Sequence, residues 1–129
     1  MTNEINVNQD IPNIVSGTFT SSQQSADIDN PTWAGCVLYL NVTAASGTGG
    51  LTPHLLCKDP GSGNYDDVVT MGTAKTAVGT YAYFIYPCNG MIADNGAAVA
   101  AILPRKFAIK ISASDSSSYT YSVSLSMVR

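Results

Sequence analysis

The six residues Asp59-Pro60-Gly61-Ser62-Gly63-Asn64 leave the chain little option but to reverse. Proline holds φ near about −65°, the glycines accept φ > 0 without a steric penalty, and the Asp and Asn side chains bond their own backbone. Runs of strand length flank the reversal, LTPHLLCK at 51–58 and YDDVVTM at 65–71. The spacing predicts a β-hairpin, and a paired hairpin makes strands of its neighbours.

Alternation extends that pattern. At 36–43, Cys36, Leu38, Leu40 and Val42 point one way while Val37, Tyr39, Asn41 and Thr43 point the other. Near the other end, Tyr119, Tyr121, Val123, Leu125 and Met127 alternate with Thr120, Ser122, Ser124 and Ser126, and Phe107, Ile109 and Ile111 alternate with Lys106, Ala108 and Lys110. The run TYAYFIYP at 80–87 is apolar on both faces, which suits a strand covered on both sides or a surface kept for a partner. Residues 14–20 read as a further strand and 21–31 as a long polar loop. The small-residue run 97–103 reads as a helical turn ended by Pro104, because the residue before proline resists the α region.

Strands punctuated by Gly, Pro, Asn and Ser about every ten residues define an all-β, single-domain antiparallel β-sandwich, Ig-like or jelly-roll-like, of about seven strands. The expected boundaries are an extended N-terminal arm at 1–12, polar and asparagine-rich with Ile5, Val7 and Ile11 as its apolar residues, and the sandwich at 13–129. At 129 residues the chain holds one core and not two.

Charge narrows the function. Lys and Arg number six against nine Asp and Glu, a net charge of −3 with no basic cluster, which argues against nucleic acid as a partner. No apolar run reaches bilayer length, and the first residues lack the pattern of a secretory signal, so synthesis in a cytoplasm is expected. Cys36, Cys57 and Cys88 are odd in number and lack CxxC spacing, as buried reduced thiols would be.

Chemistry is sparse. A Ser-His-Asp triad would have to use His54, the single histidine, which falls on a strand arm and not on a connecting loop. His54 and Cys57 differ by an odd number and face opposite ways in a regular strand, which opposes a zinc site shared with Cys36 and Cys88. Asp66 and Asp67 diverge for the same reason. Asp59, Asn64 and Asp66 are oxygen donors around one loop and suit Ca²⁺, although turn chemistry already accounts for Asp59 and Asn64. The Asn41-Val42-Thr43 sequon falls in mid-strand. Trp33, Tyr39 and Tyr86 are the candidates for a sugar-stacking platform. The chain is therefore read as having no catalytic, metal-binding or cofactor-binding residues.

The order of residues also carries a resemblance. LNVTAASGTGGLTPHLLCKDPGSGNY at 40–65, GTYAYFIYP at 79–87, the Leu103-Pro104-Arg105 step and SYTYSVS at 118–124 together resemble small virion structural proteins of tailed bacteriophages, over roughly residues 16–128. In that group a strand ending in V-T-A precedes a hairpin carrying K-D-P-x-S-G-x-Y. The role implied is capsid decoration, that is, a head auxiliary or cement protein that is not an enzyme. The major capsid protein would be its partner and the virion surface its place, with assembly in the host cytoplasm as a homo-oligomer, a trimer being favoured. Under that implication Tyr81, Tyr83, Phe84 and Tyr86 are the candidates for subunit contact, and Ile5, Val7, Ile11 and Trp33 for capsid contact. A tail or neck component, or a carbohydrate-binding module of a phage fibre, are the alternatives.

Overall fold

The seven expected strands all form, and three short ones join them, in a computed structural model that describes residues 9–93 and 95–129. In chain order they are β1 (Gln9–Phe19), β2 (Gln23–Gln24), β3 (Ile28–Asp29), β4 (Gly35–Ser46), β5 (Leu51–Lys58), β6 (Tyr65–Thr70), β7 (Gly79–Tyr86), β8 (Ala97–Ala100), β9 (Lys106–Ala113) and β10 (Ser118–Val128). One sheet runs β1-β10-β4-β7-β8; the other runs β2-β9-β5-β6, with β3 also on β9. The two pack as an all-β sandwich, and no helix occurs among the described residues.

The alternating positions are the core. Leu38, Leu40 and Val42 from β4, Tyr83 and Ile85 from β7, and Tyr119 to Met127 at odd positions of β10 meet Leu51, Leu55, Phe107, Ile109 and Ile111 from the second sheet. Each such side chain, withdrawn from water, contributes about 2 kcal/mol. The even-numbered serines of β10 stay on the outer face.

Where β4 leaves strict alternation, a bulge absorbs the change. Tyr121 pairs with Val42 but Thr120 with Ala44, so Thr43 is the extra residue and Ala45 turns back onto the core. The edge strand β1 carries a larger irregularity between Ile11 and Val15, holding Pro12 and Asn13, the latter at φ 53°. Proline and a bulge blunt an edge that could otherwise recruit another strand.

Three expectations change. Residues 97–100 form β8, parallel to β7 with Tyr83 opposite Ala97, because the exposed edge of β7 supplies backbone partners that outweigh the helix propensity of alanine. The loop 21–31 contains β2 and β3, which cap the open edge of β9. The first sheet takes in Gln9 to Pro12, placed in the arm by the sequence pattern, since Gln9, Asp10 and Ile11 pair with Met127, Ser126 and Leu125. The rest of that arm, with Ile5 and Val7, lies outside the described residues.

Candidate functional site

At one pole of the sandwich, β3, β5 and β9 end together, with Ile28 and Cys57 both opposite Phe107 and Asp29 opposite Lys106. A cleft of about 670 Å³ opens there, walled by 29–31, by 57–60 with Gly63, and by 104–106. Each wall holds one proline: Pro31, Pro60 and Pro104. Lys58, Arg105 and Lys106 bring positive charge to it, and Asp29 and Asp59 negative.

Asn30 fixes two of the walls. It is 8% exposed, its Nδ2 donates to the carbonyls of Trp33 at 2.8 Å, Leu103 at 3.1 Å and Pro104 at 3.4 Å, and its Oδ1 accepts from Trp33 N–H at 2.7 Å. Its own N–H donates to the Arg105 carbonyl at 2.7 Å. The third wall is the reversal. Asp59 accepts from Gly61 N–H at 2.9 Å and Ser62 Oγ at 2.7 Å, and these bonds, the Ser62 hydroxyl first, hold its carboxyl below the usual range. Asp59 N–H donates to the Asn64 carbonyl and Gly63 N–H to the Asp59 carbonyl, both at 2.8 Å.

A three-residue clasp ties the hairpin to the 25–28 segment. Lys58 Nζ donates to Asp27 Oδ2 at 2.6 Å and the Tyr65 hydroxyl donates to Asp27 Oδ1. The Lys58 bond, then that of Tyr65, lowers the Asp27 pKa, while the Asp27 partner raises those of Lys58 and Tyr65. The cleft is thus preorganised on every side.

On the outer face of the second sheet, His54 joins three strands. Its Nδ1 lies 2.8 Å from Asp67 Oδ2 and 3.2 Å from Thr70 Oγ1, and its Nε2 lies 2.9 Å from Ser112 Oγ. That order of groups matches a hydrolase triad, and the sequence reading missed both partners of the histidine. The surroundings differ from a catalytic site. The Ser112 proton has a second acceptor in the Thr52 carbonyl at 3.2 Å, and the neighbouring Ala113 N–H is committed to Ser22 Oγ at 2.9 Å. β9 is paired on both sides, so its peptide donors are held in ladders and do not converge on an oxyanion. The arrangement is suited to locking register.

The aromatic strand β7 divides by parity. Tyr83 is buried in the core, which corrects its assignment to a partner surface, and Tyr81 packs against the core with its hydroxyl donating to the Ala77 carbonyl at 2.7 Å. Phe84 and Tyr86 face outward beside Val37, Met91 and Val128, and the Tyr86 hydroxyl donates to the Arg129 carbonyl at 3.1 Å. Tyr39, 41% exposed, lies on the same outer face of β4. Trp33 packs partly against the core and, through Asn30, beside the cleft; Ile11 also rests partly on the core.

The cysteines separate as well. Cys36 is buried, Cys57 borders the cleft and Cys88 is exposed, so the expectation of three buried thiols holds for Cys36 alone. Among the described residues no group of three His, Cys, Asp or Glu is placed to hold a metal ion. Asp59, one of the candidate Ca²⁺ ligands, has both carboxylate oxygens engaged within the turn.

Fold and geometry define a single-domain β-sandwich with a proline-walled cleft at one pole and an apolar stripe on one outer sheet face. Comparison of the chain with protein-family models, curated proteins and solved structures found no match.

Proposed function

We propose that the protein decorates the outer surface of a bacteriophage capsid and stabilises the shell by adhesion, with no catalysis. The observation that carries this reading is where the resembling motif falls. K-D-P-G-S-G-N-Y, residues 58–65, is the hairpin that forms one wall of the cleft and clasps Asp27 through both its first and last residues. A motif spent on making a stiff end suits a body whose task is to grip.

The same pole carries Trp33 and the start of β1, which would place the capsid-facing contacts together. The apolar stripe of Tyr39, Phe84 and Tyr86 on the outer face of the first sheet suits contact between copies, as in a trimer around a symmetry axis of the shell. Several modest contacts per copy then act together against the internal pressure of the genome.

The test is reconstitution. Purified protein added to expanded, tailless capsids should bind in stoichiometric proportion to the capsid protein. Failure to bind under any condition overturns the reading, and binding only to tailed particles in a few copies would transfer it to a tail or neck component.

A further inference from the structure

The cleft has a charge balance that the rest of the chain lacks. Three of the six Lys and Arg residues, Lys58, Arg105 and Lys106, line it in a chain of net charge −3. Asp29 and Asp59 line it as well, but Lys58 is paired with Asp27 and Lys106 with Asp29 at 3.1 Å, while both Asp59 oxygens accept bonds within their own turn, which leaves its charge in place. Arg105 is exposed and has no ion pair among the described residues. Its guanidinium offers a planar fork of donors matched to a carboxylate.

The walls complement that cation. Pro31, Pro60 and Pro104 present apolar rings without N–H groups, and the carbonyls of Leu103, Pro104 and Arg105 are spent on Asn30. A ligand here gains from apolar contact and from one anionic group, with few backbone bonds to make. The volume matches sites that enclose ligands much larger than a lone ion.

We propose that this cleft docks an extended acidic segment of a partner protein, with a Glu or Asp carboxylate on the Arg105 guanidinium and neighbouring apolar side chains against the three prolines. This follows from the cleft's own chemistry and holds whether or not the partner is a capsid protein. The rigid walls lower the ordering cost of association, so a short segment is enough.

The experiment is an NMR titration of the full ¹⁵N-labelled chain with three probes: the capped peptide Ac-Glu-Leu-Glu-Val-Glu-NH₂, its counterpart with Gln at every Glu, and sodium phosphate. The acidic peptide should shift the amides of Asn30, Lys58, Gly63, Arg105 and Lys106, and the Gln peptide should bind about tenfold more weakly, the loss expected for one charge-assisted pair. Arg105→Gln, on an exposed side chain, should weaken the acidic peptide by a similar factor and leave the remaining spectrum in place. The proposal is overturned if the acidic peptide leaves the cleft amides unmoved, if the Gln peptide binds equally, or if phosphate alone reproduces the shifts.

Discussion

The Asn30 side chain donates to the Leu103 carbonyl at 3.1 Å, although 73 residues separate the two in the chain. It is a buried polar group whose single function is to join the 30–33 turn to the strand that begins beyond Pro104. Asn30→Ala strands several carbonyls and one N–H in a shielded place, where an unsatisfied group costs about 1–3 kcal/mol. We expect a loss of about 3 kcal/mol, read in urea as a lower midpoint with an unchanged slope. Asn30→Asp, which sets an acceptor against carbonyls, should be at least as harmful; wild-type stability in either variant would disprove the role.

Two core tyrosines point the opposite way. The Tyr83 and Tyr121 hydroxyls are buried without a hydrogen-bond partner among the described residues. Removing an unpaired buried hydroxyl abolishes a desolvation penalty, so Tyr121→Phe and Tyr83→Phe should be neutral or stabilising by up to about 1 kcal/mol. A clear destabilisation in thermal unfolding would show that the hydroxyls bond within the native state.

Those residues also govern alkaline behaviour. Burial pushes the Tyr121 phenol and the Cys36 thiol each up to about 12, and raises Tyr83 further. Folded-state values above the unfolded ones mean stability intact below the unfolded pKa, near 9 for the thiol and 10 for the phenols, and lost as pH rises toward the folded values. Melting temperature should fall above about pH 9, and less steeply in Tyr121→Phe.

Acid acts through the surface turns. Asp27, Asp59 and Asp115 are held below the ordinary 3.8 chiefly by side-chain bonds from Lys58, Ser62 and Ser117 respectively. A lowered folded value gives stability present above 3.8 and lost as pH falls through the folded values. Melting temperature should hold above about pH 5 and decline below it. In Asp27→Asn it should start lower and decline less; an identical pH profile would remove the clasp from the account.

Gly35 occupies a place no side chain can share. A Cβ there would stand 2.1 Å from the Ile85 carbonyl oxygen, at the pairing of β4 with β7. Backbone would have to move, so Gly35→Ala should cost about 3 kcal/mol or more, or give insoluble protein. An alanine variant that melts with the wild type would show that the two strands can separate freely.

The Ser112–His54–Asp67 arrangement separates structure from catalysis. As a register lock it predicts that Ser112→Ala loses only about 1–2 kcal/mol, that of two half-buried hydrogen bonds, and that Ser112 stays unlabelled by a fluorophosphonate. Stoichiometric labelling of Ser112, abolished by His54→Gln, would establish a nucleophile.

Period-two alternation made β4, β9 and β10 readable from residues alone, because one buried face leaves only one register acceptable. The hairpin was readable for a local reason, in the Asp59 to Asn64 turn chemistry. β8 was not: its alanines carry a helical preference, and only the open edge of β7, far away in sequence, reverses it. The cleft was half legible. Asn-Pro at 30–31 signals a turn, but that Asn30 reaches Leu103, or that Ser112 stands beside His54, depends on strand order, which no spacing encodes. Parity groups Tyr83 with Tyr81 and Ile85 against Phe84 and Tyr86, but which of those faces of β7 would be buried did not follow from it.

β10 sits between β1 and β4, so a strand made at residues 118–128 lies inside the first sheet. During vectorial synthesis β1 and β4 must wait, apart from each other, until more than a hundred residues have emerged and the missing strand can slot between them. Closure across so long an interval is slow, and the twin borders awaiting β10 are where nascent chains from neighbouring ribosomes would exchange strands.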